Sequence, residues 1–249
     1  MQSLSTAATG LAAQQQRLDI IANNIANLNT TAYKSVKAGF EDAYYTAMEN
    51  PDPDAEATYL QRGTGVRLSS TAVSFSQGIV QTTGNARDLA ISGDGFFRLQ
   101  DGSGAYVYTR DGSFTVSVEE DGAYLVNAGG YYVLDENNER ILLPESGGSF
   151  IVRPDGSIEG SETKLGVYSF ANAGGLALRG RSLFIPTAAS GEAVPAADYT
   201  VRQGELEGSN VDLGSEISEL IQAQRAFSLA SRALQTADNM EALANSIRR

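Results

Sequence analysis

The residue types in this chain restrict the chemistry that it can carry out. The 249-residue sequence has no cysteine and no histidine, which excludes a thiolate or Ser-His nucleophile and a zinc site built from those ligands. Its 30 aspartates and glutamates leave carboxylate-pair chemistry open on composition, and its few lysines leave Ser-Lys chemistry open in the same way. No particular pair of carboxylates stands out, so a catalytic function needs a further signal.

Two loops partly match ligand-binding motifs. Gly93-Asp94-Gly95-Phe96-Phe97 lacks the Lys-Ser/Thr ending of a phosphate loop and is not followed by a helical pattern. The loop that begins at Asp135 has Arg140 where a calcium loop needs glycine and Ser146 where it needs glutamate. We interpret both loops as turns, and we expect no catalytic residue, no metal and no cofactor.

Hydrogen-bonding groups are concentrated between residues 23 and 31, where Asn-Asn-Ile-Ala-Asn-Leu-Asn-Thr-Thr holds four asparagines and two threonines. Asparagine tolerates left-handed backbone and bonds to nearby backbone groups, so Asn29 and Asn27 are candidates for ending a helix. Amides on one face of a helix can also fix the register of an interface. We therefore predict that Asn23, Asn24 and Asn27 form a polar stripe that meets neighbouring subunits.

Helices with a seven-residue repeat are predicted at both ends of the chain. Apolar residues recur at positions 4, 11, 18 and 25, and again at positions 213, 220, 227 and 234. Such a repeat is typical of helices that wind into a left-handed coiled coil. The predicted subunit-interface residues are the members of these repeats and the amides beside them: Leu4, Leu11, Leu18, Ile21, Asn23, Asn24, Ile25, Asn27, Leu28, Asn29, Leu213, Ile217, Leu220, Gln224, Phe227 and Leu234.

Two arrangements of these helices are compatible with the pattern. They can pair within one molecule as a closed helical hairpin, or they can also pack against helices of other copies. Polar residues interrupt the seams beside both repeats: Gln14 stands three residues after Leu11, and Gln224, Ser231 and Asp238 each stand four residues after a member of the second repeat. Interrupted seams bury little apolar surface, which favours additional neighbours from other chains.

Between the helices the sequence predicts a mainly antiparallel β domain. Asp-Gly pairs occur at 94–95, 101–102, 111–112, 121–122 and 155–156, and apolar and aromatic runs flank them. Asp-Gly between such runs is a strong hairpin signal. Strands are predicted at 96–99, 106–109, 113–118, 124–126 and 131–134, with further runs at 140–143, 149–152, 164–170 and 176–185. The acidic segment 41–58, which contains two prolines, is predicted to be an exposed loop.

Charge is unevenly distributed along the chain. The net charge is −12, and residues 41–212 hold −14 because residues 1–40 have three basic and one acidic side chain and residues 213–249 have four of each. An acidic exterior repels nucleic acid, whereas nearly neutral ends can pack against copies of themselves. No apolar run is long enough to span a membrane, and the first residues lack the pattern of a cleaved secretory signal.

Several motifs resemble those of the bacterial flagellar basal-body rod and hook protein family. They are Ala22-Asn23-Asn24-Ile25-Ala26-Asn27-Leu28-Asn29-Thr30-Thr31-Ala32-Tyr33-Lys34, Asp88-Leu89-Ala90-Ile91-Ser92-Gly93-Asp94-Gly95-Phe96-Phe97, Tyr108-Thr109-Arg110-Asp111-Gly112-Ser113-Phe114 and Gly208-Ser209-Asn210-Val211-Asp212-Leu213. The length and Gly63-Thr64-Gly65-Val66-Arg67 are most similar to distal rod members. The chain departs from the family pattern at Ser5, where an aromatic residue is common, at Ala32-Tyr33, where Gly-Phe is frequent, and at Ser182, where asparagine is frequent.

The resemblance implies an α+β fold in which the N- and C-terminal helices form a coiled coil with an inserted, mainly antiparallel β domain. The implied divisions are 1–40 (helix and exit), 41–80 (acidic loop and linking segment), 81–200 (outer β domain) and 201–249 (return segment and helix). The implied function is that of a non-enzymatic rod subunit, most like the distal rod, which polymerises helically and transmits torque from the motor to the hook.

The implied partners are other copies of the chain, adjacent rod and hook proteins, and the flagellar type III export apparatus. The implied location is the basal body in the cell envelope, outside the cytoplasmic membrane, reached without a cleaved signal peptide. The alternatives are another rod or hook–basal-body paralogue and, because the family includes assembly-associated muramidases, an enzyme that acts on cell-wall glycan.

Overall fold

The computed structural model describes residues 2–47, 61–143, 150–161, 163–180 and 182–247. The chain divides into two compact units. The helical unit comprises residues 1–26, 36–73 and 212–249, and the β unit comprises residues 27–35 and 74–211. The chain therefore passes from the helical unit into the β unit and back twice.

The helical unit contains the two long helices, α1 (Gln2–Ala26) and α2 (Leu213–Ile247). Asn24 of α1 bonds to Glu216 of α2, and the earlier Arg17 bonds to the later Glu219, so the helices run antiparallel. Four strands complete the unit: β1 (Val36–Asp42), β2 (Tyr45–Ala47), β3 (Gln61–Gly63) and β4 (Val66–Val73). Strand β1 pairs with β4, and β2 pairs with β3, both antiparallel.

A side chain defines the start of α2. The Asp212 carboxylate accepts a hydrogen bond from the backbone N–H of Gly214 at 2.9 Å, and Glu216 places a second carboxylate in the first turn. An aspartate in this position satisfies a backbone donor that the helix leaves free, and negative charge suits the positive end of the helix dipole.

The β unit contains fourteen described strands. They are β5 (Val80–Thr82), β6 (Leu89–Gly93), β7 (Phe96–Gln100), β8 (Tyr106–Thr109), β9 (Phe114–Glu119), β10 (Gly122–Asn127), β11 (Tyr132–Val133), β12 (Leu142–Leu143), β13 (Val167–Ser169), β14 (Ala177–Gly180), β15 (Leu183–Ile185), β16 (Val194–Pro195), β17 (Tyr199–Gln203) and β18 (Glu205–Glu207), and a 3₁₀ turn lies at Ala173–Gly175. Every pair among them is antiparallel.

Ten of these strands form one sheet. Its order is β12-β10-β11-β7-β8-β15-β14, with β9 beside β10 and with β13 between β7 and β16. Two smaller pairs, β17-β6 and β18-β5, complete the unit. The core between them is apolar, and the rings of Phe97 and Phe114 meet edge to face at 5.2 Å. Burial of this cluster is the main driving force for folding of the unit.

The α+β class and the antiparallel β domain are confirmed, whereas two parts of the strand prediction differ. The Asp-Gly dipeptides at 101–102 and 121–122 connect neighbouring strands that are hydrogen-bonded to each other, as in a hairpin. Those at 94–95 and 111–112 connect strands that are not hydrogen-bonded to each other. Gly112 is instead required by packing, because a Cβ there would lie 1.6 Å from the carbonyl oxygen of Leu89.

The structure adds strands that the apolar runs did not indicate, among them β1, β4, β6 and β17. Within the predicted loop 41–58, residues 41–42 end β1 and residues 45–47 form β2, while residues 48–58 lie outside the described part of the chain.

Candidate assembly site

The predicted repeat on α2 coincides with the least exposed face of that helix. Leu220, Phe227 and Leu234 are half-buried, and Ala223 between them is fully buried. Leu213 belongs to the same repeat but is exposed at the first residue of the helix, and Ile217 and Gln224, which flank the repeat, are exposed as well. Part of the predicted interface is therefore used within the chain, and another part faces outward.

Helix α1 divides its predicted interface residues in the same way. Ile21 and Asn24 are buried, whereas Leu11, Leu18 and Ile25 are half-buried. Leu4 belongs to α1, but its side chain lies outside the described residues. The buried face of α1 therefore coincides only in part with the predicted repeat at positions 4, 11, 18 and 25.

Asn24 connects three segments of the helical unit. Its side-chain N–H donates to the Val36 carbonyl at 2.9 Å and to Glu216 Oε1 at 3.1 Å, and its Oδ1 accepts from the Val36 N–H at 3.0 Å. Burial is the largest effect on Glu216 and raises the pKa of its carboxyl group. Asn24 therefore fixes the position of β1 against α1 and of α1 against α2.

The other residues of the asparagine-rich stretch lie at or beyond the end of α1. Asn23 is exposed on the helix. Asn27 Oδ1 accepts a hydrogen bond from the Thr30 hydroxyl at 3.1 Å, in the turn that follows Ala26. Leu28, half-buried, and Asn29, exposed, belong to the β unit, where both line a groove. The stretch therefore has several roles within one chain, and its contact with other subunits stays a prediction.

A buried ion-pair cluster lies in the β unit and consists of Lys34, Arg110 and Glu207, which we call the Glu207 cluster. Lys34 Nζ lies 2.6 Å from Glu207 Oε1, and Arg110 Nη1 lies 3.1 Å from Glu207 Oε2. The Glu207 and Lys34 side chains are 0% exposed. Burial is the dominant effect on Lys34 and lowers the pKa of its ammonium group, although Glu207 opposes it.

Backbone groups satisfy most of the remaining hydrogen bonds of the Glu207 cluster. Lys34 Nζ donates to the Ser76 carbonyl at 2.7 Å, and the Gly78 N–H donates to Glu207 Oε1 at 2.8 Å. The Arg110 guanidinium donates to the carbonyls of Gly93 and Gly95. The cluster thus joins residues from four separate parts of the sequence at one buried point.

Asn210 forms a second connection beside this cluster. Its Oδ1 accepts from the Ser35 N–H at 2.7 Å, and its side-chain N–H donates to the carbonyls of Ser74 and Ser76. The Ala32 N–H also donates to the Glu207 carbonyl at 2.8 Å. The residues that follow α1 are therefore held against the residues that precede α2.

Sequence reasoning missed the Glu207 cluster as a unit. Lys34, Arg110 and Asn210 each lie in a motif that carried the family resemblance, but nothing in the sequence linked them to Glu207. The signal that could have found the cluster is the position of Lys34 and Arg110 in segments otherwise rich in residues that become buried.

The described residues give no support to catalysis or metal binding. No group of three or more potential metal ligands occurs among them. Asp135 Oδ1 accepts from the N–H groups of Asn137 and Glu139 at 2.8 Å each, as in a turn. Ser161 and Lys164 have Ser-x-x-Lys spacing, but a hydrogen bond to Glu136 raises the pKa of Lys164, the opposite of what a general base needs. No helix in the described ranges is long and apolar enough to cross a membrane.

The two terminal helices carry exposed apolar side chains, and the buried polar groups hold separate segments of the chain together. These features are typical of a structural protein that contacts other molecules through its helices. Comparison with known families identifies which one. Models described as "Flagella basal body rod protein", "Flagellar hook protein FlgE/F/G D1 domain" and "Flagellar basal body rod FlgEFG protein C-terminal" match residues 4–34, 90–160 and 202–247.

Curated relatives match over nearly the whole chain. The flagellar basal-body rod protein FlgG of Borreliella burgdorferi is 38% identical and covers 100% of this chain and 99% of the relative. FlgG of Caulobacter vibrioides is 39% identical, with 96% of this chain and 97% of the relative covered. The chain belongs to the flagellar basal-body rod protein family, most like FlgG, and is a structural subunit rather than an enzyme.

Proposed function

We propose that this chain is a subunit of the distal part of the rod, that it self-assembles helically, and that the resulting shaft transmits torque from the motor to the hook. The observation that supports this most directly is the end-to-end match to FlgG proteins, which spans both helices and the β unit. Helical assembly requires contacts that do not close on themselves, so each copy presents two different surfaces.

In this proposal the terminal helices pack as a coiled coil in the inner layer of the shaft. The interface residues named from the sequence within the helices, from Leu4 to Ile25 and from Leu213 to Leu234, contribute to it, and Asn27, Leu28 and Asn29, which follow the end of α1, contact other copies beside it. Those that face outward from the helical pair, such as Ile217 and Gln224, are available to other copies. Residues 1–40 and 201–249 form the inner layer, residues 81–200 form the outer domain, and the acidic segment 41–80 links them.

The proposed partners are other copies of the chain, neighbouring rod and hook proteins, and the flagellar type III export apparatus. The proposed location is the basal body in the cell envelope, reached without a cleaved signal peptide. The absence of cysteine from the sequence agrees with a chain that is exported unfolded, because no disulfide can form on the way.

A second candidate is a different protein of the hook–basal-body complex. The protein FlhP of Bacillus subtilis, named a flagellar hook-basal body complex protein, is 32% identical over 100% of both chains. The FlgG relatives reach higher identity, between 35% and 39%. We therefore favour the distal rod.

The decisive experiment combines assembly in solution with location in the cell. Purified chain should form particles that sediment with the mass of a polymer, and deletion of residues 1–30 should abolish them. In isolated basal bodies, a label on the chain should appear in the distal rod by electron microscopy. Unchanged sedimentation after the deletion would contradict assembly through the helices, and a label at another position would favour the second candidate.

A further inference from the structure

Helix α2 is longer than the helix it packs against. It has 35 residues, whereas α1 has 25. Asn24 of α1 bonds to Glu216 of α2, and from that point back to Gln2 the helix α1 has about 22 further residues at 1.5 Å each. It therefore runs beside α2 only as far as about residue 238. The last turns of α2 extend beyond α1.

This extension carries an exposed apolar stripe. Met240, Leu243 and Ile247 are 67%, 62% and 84% exposed. Their spacing of three and four residues places them on one side of the helix. We call these three residues the end patch. Large apolar side chains grouped in this way on a protein surface mark a site of contact with another molecule.

A second exposed apolar stripe lies at the other end of the same helix. Leu213, Ile217 and Ile221 are 41%, 42% and 45% exposed, and a spacing of four residues again places them on one side. We call them the start patch. The start and end patches lie at opposite ends of a rod about 50 Å long, so they cannot meet within one chain.

We infer that the end patch of one copy packs against the start patch of the next copy, so that successive α2 helices overlap side by side, head to tail. This inference rests on the proposed function and names the contact through which the polymer grows along its axis. Because two different surfaces meet, the contact repeats without closing, as a shaft requires.

Electrostatics favours a second copy of this chain as the occupant. The start patch lies at the positive end of the α2 dipole, and the end patch lies near its negative end, so the head-to-tail arrangement brings opposite partial charges together. In the sequence, Asp212, Glu216 and Glu219 accompany the start patch. The end patch has Asp238 and Glu241 before and within it and is followed by Arg248 and Arg249, whose placement lies outside the described residues, so these two arginines are the groups that can pair with the acidic start of the next copy. An alignment of end patch with end patch would place like dipole ends together.

The contact is small, since it joins three side chains on each copy. It cannot reach the size of about 1,600 Å² that is usual for a stable two-protein interface. It therefore acts together with other contacts in the polymer, and its loss should weaken assembly without abolishing folding.

The absence of cysteine allows a direct test by disulfide formation. We prepare two variants, Ile217→Cys and Leu243→Cys, mix them, let the mixture polymerise and then oxidise it. In two further mixtures, Leu213→Cys or Ile221→Cys replaces Ile217→Cys, which allows for a shift of one helical turn. We expect cross-linked dimers from one of these mixtures, and a ladder of multimers when both cysteines are in one chain. Disulfides between two copies of Leu243→Cys, or none in any mixture that has polymerised, would overturn the inference.

A second measurement separates this inference from the proposed function. Leu243→Ser should raise the concentration needed for polymerisation by roughly tenfold, the factor expected for losing one buried leucine side chain. The matched control is Leu229→Ser, which removes a leucine that is 66% exposed and outside both patches. Equal effects of the two variants would contradict the inference while the polymer itself persists. Absence of any polymer from the unsubstituted chain would contradict the proposed function and the inference with it.

Discussion

Replacement of Glu207 by glutamine tests whether the Glu207 cluster holds the β unit together. Glu207→Gln keeps the size of the side chain but removes its charge, so the fully buried Lys34 and the nearly buried Arg110 lose their counter-charge. The cluster of two cations and one carboxylate then changes from a net charge of +1 to +2 without access to water. The amide oxygen of the substituted side chain can still accept from both Lys34 and the Gly78 N–H, but the amide NH2 group then faces Arg110 Nη1, which is also a donor.

The expected cost is that of a buried ion pair that has lost one partner. Removal of one partner from a buried ion pair typically destabilises a protein by about 3–5 kcal/mol. Two opposite charges about 4 Å apart interact by about 4 kcal/mol at an effective dielectric constant of about 20, which gives the same order. Because a domain of this kind is stable by about 5–15 kcal/mol in total, the variant should remain folded at low temperature with a much lower unfolding midpoint.

The assay is urea unfolding of the purified chain, followed by tyrosine fluorescence because the sequence has eleven tyrosines and no tryptophan. The matched control is Glu159→Gln, which breaks an exposed pair with Arg153 at 3.6 Å and should cost at most about 1 kcal/mol. Adding Lys34→Met to Glu207→Gln should recover part of the lost free energy of unfolding, since it removes one of the two buried cations that have no counter-charge. If Glu207→Gln cost no more than Glu159→Gln, the cluster would not be an essential buried contact.

Three further predictions concern the β unit. Gly112→Ala should cost at least about 3 kcal/mol in urea unfolding, because its Cβ would lie 1.6 Å from the Leu89 carbonyl oxygen, whereas Gly102→Ala, with no atom within 4 Å, should change stability by less than about 0.5 kcal/mol. Ser182→Val should lower stability by about 1–2 kcal/mol because φ is +56° at this position, and Ser182→Gly, which tolerates that angle, should not. The Ser103 hydroxyl is the main cause that lowers the pKa of Asp101 to about 2 from 3.8. Since the folded-state pKa is depressed, the stabilisation is complete above about pH 4 and is lost as pH falls towards 2, so the difference in melting temperature between the unsubstituted chain and Asp101→Asn should shrink over that range.

The helices and most central strands could be predicted because their signals are local. A seven-residue repeat marks the two helices, and runs of aromatic and β-branched residues mark β7, β8, β9 and β10. Strands such as β6 and β17 pair over about one hundred residues of sequence and have short, mixed patterns, so only the folded chain brings them together. The same holds for the Glu207 cluster, whose three members are far apart in sequence.

Two of the departures from the family pattern have a backbone explanation that sequence alone did not provide. Ala32 and Ser182 have φ values of +52° and +56°, in the left-handed region that glycine and asparagine occupy most readily. Glycine at the first position and asparagine at the second therefore suit the geometry. Alanine and serine are accommodated here because surrounding contacts hold the backbone, including the hydrogen bond from the Ala32 N–H to the Glu207 carbonyl.

The Glu207 cluster has a consequence for the path of the chain that differs from its effect on stability. A buried ion pair adds little net free energy, because desolvation offsets most of the attraction between the charges. Its three members come from distant segments, and one register alone lets the carboxylate reach both cations. Apolar contacts tolerate repacking at a cost of less than about 1.5 kcal/mol. A shifted register here would leave a buried charge without its partner, at a cost of about 3–5 kcal/mol. The cluster therefore selects a single path for the segments that follow α1 and precede α2, which are the two helices proposed for assembly.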